Sequence, residues 1–188
     1  MLSFDRGSEA AVRMRVACAW SKWRELAGLL NMREIPLPNR AAVYDACIRS
    51  VLLYGSETWA MTRKLEDEIR GCDRRMLRFM AGIKLRDRVP SAEILGRCGL
   101  KDVLGVMRVR RLRWFGHVKR RDRSEVLGRI LDMTVEGRRP PGRPKKNWIS
   151  CVRDDLRTLN ISEEEAHDRR RWEQVIKMSN LVTGNIRR

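Results

Sequence analysis

The residues with the strongest chemical signature are basic. Arg108, Arg110, Arg111, Arg113, Lys119, Arg120, Arg121 and Arg123 crowd one stretch, opposed there only by Asp122, with His117 among them. Arg138, Arg139, Arg143, Lys145 and Lys146 crowd a second, and no acid lies between them. Cations at this density repel one another, and the commonest polyanion that relieves such repulsion is nucleic acid. Arginine forks and lysine point charges grip phosphate oxygens, and a partly exposed His117 can hydrogen-bond to the same oxygens. A solvated basic helix followed by a plain linker would have the same composition without any partner.

The whole chain leans the same way. Its 188 residues carry 41 lysines and arginines against 24 acids, a net charge of +17. A hydrophobic content of 43% is near the globular average, so a packed core is expected. The expected partner is nucleic acid: RNA, DNA or a hybrid. No apolar run approaches the ~20 residues of a membrane span, and MLSFDRGSEA at the start has no apolar signal core. A membrane partner is therefore not expected, and the expected location is nucleus or cytoplasm.

Other chemistries find little support. No P-loop, GxSxG, HExxH or zinc-finger spacing occurs. Cys18, Cys47, Cys72, Cys98 and Cys151 form no CxxC pair, and His117 and His167 lie fifty residues apart. That spacing predicts neither a metal site nor a cofactor. Cys47, Cys72 and Cys151 fall on apolar helix faces, where a free thiol acts as a small hydrophobe, as suits a reducing compartment. Asp154–Asp155 is the one pair that suggests catalysis, since adjacent aspartates hold Mg²⁺ in polymerases. On a helix, neighbours point about 100° apart, so the pair is poorly aimed at one ion. A solvated helix face is the better reading; no catalytic residue is assigned and no enzyme is expected.

Helices must position these groups. Val12, Val16, Ala19, Trp20, Trp23, Ala27 and Leu30 recur at three and four, predicting a helix from a Ser8 cap to about Asn31. Pro36 and Pro38 interrupt, and Asn39 is the predicted cap of a second helix that carries Val43, Cys47, Ile48, Val51 and Leu52 until Gly55 and Ser56. Thr62 caps a third, with Leu65, Ile69, Cys72, Met76, Phe79, Met80 and Ile83 on its apolar face. Pro90 and Ser91 open a short fourth. The fifth, from about Asp102 to Arg121, puts Val103, Leu104, Met107, Trp114, Phe115 and Val118 on one face. Arg111 sits among these apolar residues and needs a partner or an exit to solvent. After a weaker segment at 124–133, Pro140, Pro141 and Pro144 forbid regular helix, Pro144 suiting the first turn of the next one. Trp148, Val152, Leu156 and Leu159 then mark that next helix. Ser162 and Glu165 have capping-box spacing, and Trp172, Val175 and Ile176 imply a last one before a frayed SNLVTGNIRR. The tryptophans mostly occupy core positions, so packing rather than base stacking is their expected role; Trp114, beside Arg113 and close to His117, is the least settled of them. The expected architecture is all-α: a helical region at 1–133, a basic Pro/Gly linker at 134–147, a helical segment at 148–178 and a tail at 179–188.

Four segments carry a family resemblance, in order and spacing: LLYGSETW at 52–59, Leu77–Arg78 behind an apolar helix, LRWFGHVKRRD at 112–122 and GRPKKNWISCVRDDL at 142–156. Over roughly 8–178 the chain resembles the C-terminal part, beyond the palm, of non-LTR (LINE-type) retrotransposon reverse transcriptases. The resemblance implies a mainly helical thumb-side region that grips template and primer beside a polymerase palm. In that family, polymerase catalysis comes from aspartates of the palm and nicking from an endonuclease. Asp154–Asp155 do not match the palm motif, so no catalytic residue carries over.

A second local match leaves an alternative open. PPGRPKK at 140–146 resembles the AT-hook, whose Gly-Arg-Pro core lies in the minor groove; Gly142, Arg143 and Pro144 match it, while Pro141 stands where an arginine is usual. Narrow A·T-rich grooves attract arginine, so the idea is physically sound. The alternative is thus a host-used nuclear DNA-binding or adaptor protein acting through this linker, or a relic without function. Arg138–Arg139 and Lys145–Lys146 could equally be read by a nuclear import receptor.

Overall fold

Apolar residues spaced by three and four fold as helices throughout. The structure, a computed structural model, describes residues 4–122, 124–129 and 146–182, and no strand occurs among them. The fold is all-α. Arg123 and 130–145, with Arg138, Arg139, Arg143, Lys145 and all three linker prolines, lie outside the described residues. The chain divides into two units, residues up to Ser56 with Thr62–Val106, and Glu57–Met61 with Met107 onward. Among the described residues no helix is long and apolar enough to cross a membrane.

The first unit begins with α1 (Phe4–Leu30). This helix starts a turn before the expected Ser8 cap, and Ser8 is buried within it. No proline precedes Ser8, and serine or glycine inside a helix costs only about 1 kcal/mol or less relative to alanine. Val12, Ala19, Trp23 and Leu30 are buried, with Val16, Trp20 and Ala27 half-buried, along the expected stripe. Next, α2 (Leu37–Tyr44) takes Pro36 as its N-cap residue and Pro38 into its first turn. Asn39 is therefore not the cap: first-turn N–H groups have no helical partner, so proline is tolerated there.

A π-helical turn at Asp45–Arg49 joins α2 to α3 (Ser50–Leu52). Its wider i to i+5 winding brings Tyr44 and Arg49 onto one face, where α geometry would put them about 140° apart. Both reach Asp73 of α4 (Arg63–Ala81). Arg49 donates from Nε to Oδ1 (2.7 Å) and from Nη2 to Oδ2 (2.9 Å), while the Tyr44 hydroxyl donates to Oδ1 (2.8 Å). All three residues are buried. Burial works to lower the Arg49 pKa, but its bonds to Asp73 and their attraction outweigh that, so the guanidinium is held above its ordinary value. Burial, reinforced by the Asp73 charge, pushes the Tyr44 phenol well up.

Thr62 caps α4 as expected, accepting from Leu65 N. Leu65, Ile69, Cys72, Met76 and Met80 are buried on its inner face. Phe79, expected on that face, is 56% exposed and instead lies at its edge, its ring 6.2 Å from Trp20. Arg40 closes the helix ends: its Nη1 donates to Leu30 O (2.9 Å) at the end of α1 and to Met80 O (2.8 Å) near the end of α4. Those carbonyls have no intrahelical partner and carry the negative end of the dipole, so a cation is favoured there. Arg78 holds Val89 O (2.7 Å), tying back the loop before α5 (Ser91–Cys98). In LLYGSETW, Leu52 and Leu53 are buried, Gly55 takes φ +75°, which suits glycine, and Arg15 lies over the exposed Tyr54 ring at 4.4 Å.

Two predictions follow from this packing. Asp73→Ala leaves Arg49 buried with only a long contact to Asp45 (3.4 Å) and should cost about 3–5 kcal/mol in urea unfolding. The double variant Arg49→Met with Asp73→Leu should lose clearly less; equal losses would mean that the charge pair is not what matters. Burial also pushes the Cys72 thiol up to about 12 and raises those of Cys98 and Cys151. Their thiolate fraction is therefore small at about pH 8, and a thiol reagent should modify exposed Cys18 first. Rapid native labelling of Cys72 would contradict this.

Candidate nucleic-acid interface

The basic stretch 108–121 lies on α6 (Val103–Lys119) and the turn after it; the division between units falls within this helix, after Val106. Within the second unit, Val109, Leu112 and Phe115 of α6 pack with Val152 and Leu156 of α8 (Trp148–Leu159), with Ile161 and Ala166, and with Trp172 and Ile176 of α9 (Arg169–Val182). The short α7 (Val126–Arg129) precedes α8. Asn147 caps α8, its side chain accepting from Ser150 N (2.9 Å). The Ser162–Glu165 capping box is formed and opens a 3₁₀ turn at Glu163–His167. Helix α9 continues through Val182, so 179–182 of the expected tail belong to it; 183–188 lie outside the described residues.

Gly116 fixes how closely α9 approaches α6. A β-carbon there would lie 2.3 Å from Trp172 Nε1 and 2.6 Å from its Cδ1. The bare backbone lets the buried indole donate to Leu112 O (3.0 Å). The glycine of LRWFGHVKRRD is thus a packing requirement.

The basic residues of α6 then sort by what they touch. Arg111, 4% exposed, donates from Nε to Asp155 Oδ2 (2.8 Å), and Arg108 donates to Oδ1 (3.1 Å). This meets the need for a partner inside the apolar face. Asp155 is buried, whereas Asp154 sits 2.9 Å from Lys146 Nζ and 3.4 Å from Arg157; the adjacent aspartates do point apart. Lys119 pairs with Glu163 (2.9 Å), and Arg120 donates to Ala166 O (2.7 Å). Arg110 is half-buried and engaged. Arg113, His117 and Arg121 remain on the exposed side. The His117 ring stacks on half-buried Trp114 (5.4 Å, 23°), and Arg121 donates weakly to its Nε2 (3.4 Å).

Those exposed groups gather around an open recess of about 520 Å³, lined by Arg113, His117, Arg120 and Arg121 of the α6 end and by Arg169, Trp172 and Glu173 of α9. Four guanidiniums and an imidazole line it with one carboxylate, while Arg121 also reaches Glu125 outside it (3.4 Å); the arrangement can hold phosphate oxygens. Arg169 was missed by the sequence reading. Its signal was the Arg169–Arg171 run just before Trp172, which only the folded proximity of α9 and α6 connects to 113–121. Among the described residues no group of three or more His, Cys, Asp or Glu side chains could hold a metal ion.

The chain is similar to a transposon-derived protein of Caenorhabditis elegans. The two are 29% identical over 154 residues, which cover 73% of this chain and 54% of that protein. The chain therefore spans about half the length of that relative. No family model matches the chain, and no solved structure does.

The Gly116 contact yields a prediction with a built-in contrast. Alanine in place of glycine inside a helix normally adds up to about 1 kcal/mol of stability. Gly28 of α1 has open space around it, so Gly28→Ala should show that gain. Gly116→Ala should instead lose about 1–3 kcal/mol, because overpacking displaces Trp172. Equal thermal shifts in the two variants would contradict the close approach.

Proposed function

We propose that the chain is a nucleic-acid-binding, non-catalytic part of a transposable-element protein, equivalent to the region beyond the palm in a non-LTR retrotransposon reverse transcriptase. In the full protein this region grips template and primer, with the palm as its neighbour, while polymerisation takes place elsewhere. Similarity to a transposon-derived protein supports the origin. The four sequence segments support the finer assignment, and the all-α fold agrees with it.

The observation that carries the binding role is the recess at the α6 end. The LRWFGHVKRRD segment spends Arg120 and Lys119 on the fold but leaves Arg113, His117 and Arg121 facing solvent beside Arg169. Repelling cations held in one concavity gain most from an anion placed among them. Asp155, by contrast, is taken up by two arginines and supports no metal-ion chemistry in this reading.

Fluorescence anisotropy with labelled single-stranded RNA, duplex DNA and an RNA–DNA hybrid tests the proposal. Binding should weaken with salt, log K falling against log salt with a slope of about −3 for four phosphates neutralised on a single strand. The purified chain should extend no primer on an RNA template with Mg²⁺. Salt-independent binding, or template-dependent extension lost in Asp154→Asn, would overturn the respective half of the proposal.

A further inference from the structure

The recess itself has a shape and chemistry that name a narrower ligand. We propose that it seats consecutive backbone phosphates of a single-stranded nucleic acid, with Arg113 and Arg169 as the primary grips; this rests on the binding role proposed above.

Arg113 is exposed, and among the described residues it has no ion-pair partner. Arg169 reaches the same recess from α9, held only by Glu173 one turn along (3.2 Å), with both side chains largely exposed. Exposed pairs of this kind contribute little, so Arg169 can exchange its carboxylate for phosphate. Arg120 is committed through one nitrogen to Ala166 O and stiffens the wall. Trp172 also lines it and is fixed by its bond to Leu112 O. The recess thus lies between two helices packed through Gly116.

Single-stranded rather than duplex ligand follows from two features. The recess is concave, which suits a strand that can bend its backbone inward. Among its lining residues the exposed His117 ring, stacked on Trp114, offers a flat aromatic surface to an unpaired base. Bases inside a duplex stay stacked on one another and cannot use such a surface. Glu173 opposes the ligand: its carboxylate lines the recess and neutralises Arg169 in the free protein.

That opposition supplies a test whose expected result is a gain, which misfolding cannot imitate. Glu173→Gln should tighten binding of oligo-dT to the full chain about threefold or more at about 0.1 M salt, by removing one repulsive charge and releasing Arg169. Glu164→Gln, the same charge change on an exposed residue outside the recess, should alter it less than about twofold. Arg113→Gln with Arg169→Gln should weaken binding roughly tenfold or more and flatten the salt slope by about 1.4, for two phosphates lost. Arg153→Gln with Arg157→Gln, matched in charge and lying away from the recess, should do markedly less. If the parent binds and both arginine pairs weaken it equally, the binding role stands and the recess proposal is overturned. If the parent binds no nucleic acid, both fall. Inorganic phosphate at matched ionic strength should displace the oligonucleotide only in large excess. Displacement at equal phosphate concentration would mean a small-anion pocket, and equally tight, equally Arg113-dependent binding of duplex DNA would overturn the single-strand assignment. Independently of any variant, the Trp172 indole N–H resonance should shift on adding oligo-dT; an unmoved resonance at saturation counts against the proposal.

Discussion

A guanidinium does not shed its proton in a protein, so each arginine that folding buries must be answered where it lies. In this chain that rule organises both units. Arg49 is answered by a bidentate Asp73, Arg111 by Asp155, and Arg40 by the terminal carbonyls of two helices. Each answer ties together elements distant in sequence. The π turn at Asp45–Arg49 is part of the same solution, since it turns Tyr44 and Arg49 toward one carboxylate. A chain with so large an excess of basic residues has few acids to spare, and the buried ones are placed at these points.

The same rule divides the basic residues into two populations. Arg108, Arg111, Lys119 and Arg120 bind the second unit together through Asp155, Glu163 and Ala166 O. Arg113 and His117 of α6, and Arg121 just after it, stay exposed where the helix meets α9, and they line the recess with Arg169 and Trp172. Basic density along the sequence therefore overstates the charge open to a ligand. The folded arrangement compensates by bringing Arg169 from a segment nearly fifty residues further on.

Much of the helical framework was legible. Helical spacing located α1, α4, α6, α8 and α9, Pro90 and Ser91 marked α5, and the cap at Thr62 and the capping box at Ser162 follow from local chemistry. The all-α class needed only the absence of alternation. Two starts were misplaced, at Ser8 and Asn39, because a side chain able to cap does not stop a helix that can begin earlier; a third, expected at Pro144, falls at Trp148, because the Asn147 side chain caps the helix there. The need of Arg111 for a partner was visible, but not that Asp155 would meet it, since tertiary pairing leaves no period in the sequence. The π turn, the tolerance for Trp172 at Gly116 and the role of Arg169 were invisible for the same reason: each depends on which helix lies opposite.

The short segment Glu57–Met61 has a consequence for how this chain can be divided. Trp148 Nε1 donates to Glu57 O (2.7 Å), and Met61 N approaches the Cys151 thiol (3.2 Å), so α8 holds the segment at both ends. These residues lie in sequence between α3 and α4, yet they belong with the second unit. The chain therefore visits that unit, leaves it, and returns some forty-five residues later. No single cut in the gene yields the two units as intact modules: a piece starting at Met107 lacks the strip that α8 grips, and its complement ends with that strip uncovered. Any single piece that holds all of the second unit must therefore carry α4 and α5 of the first with it.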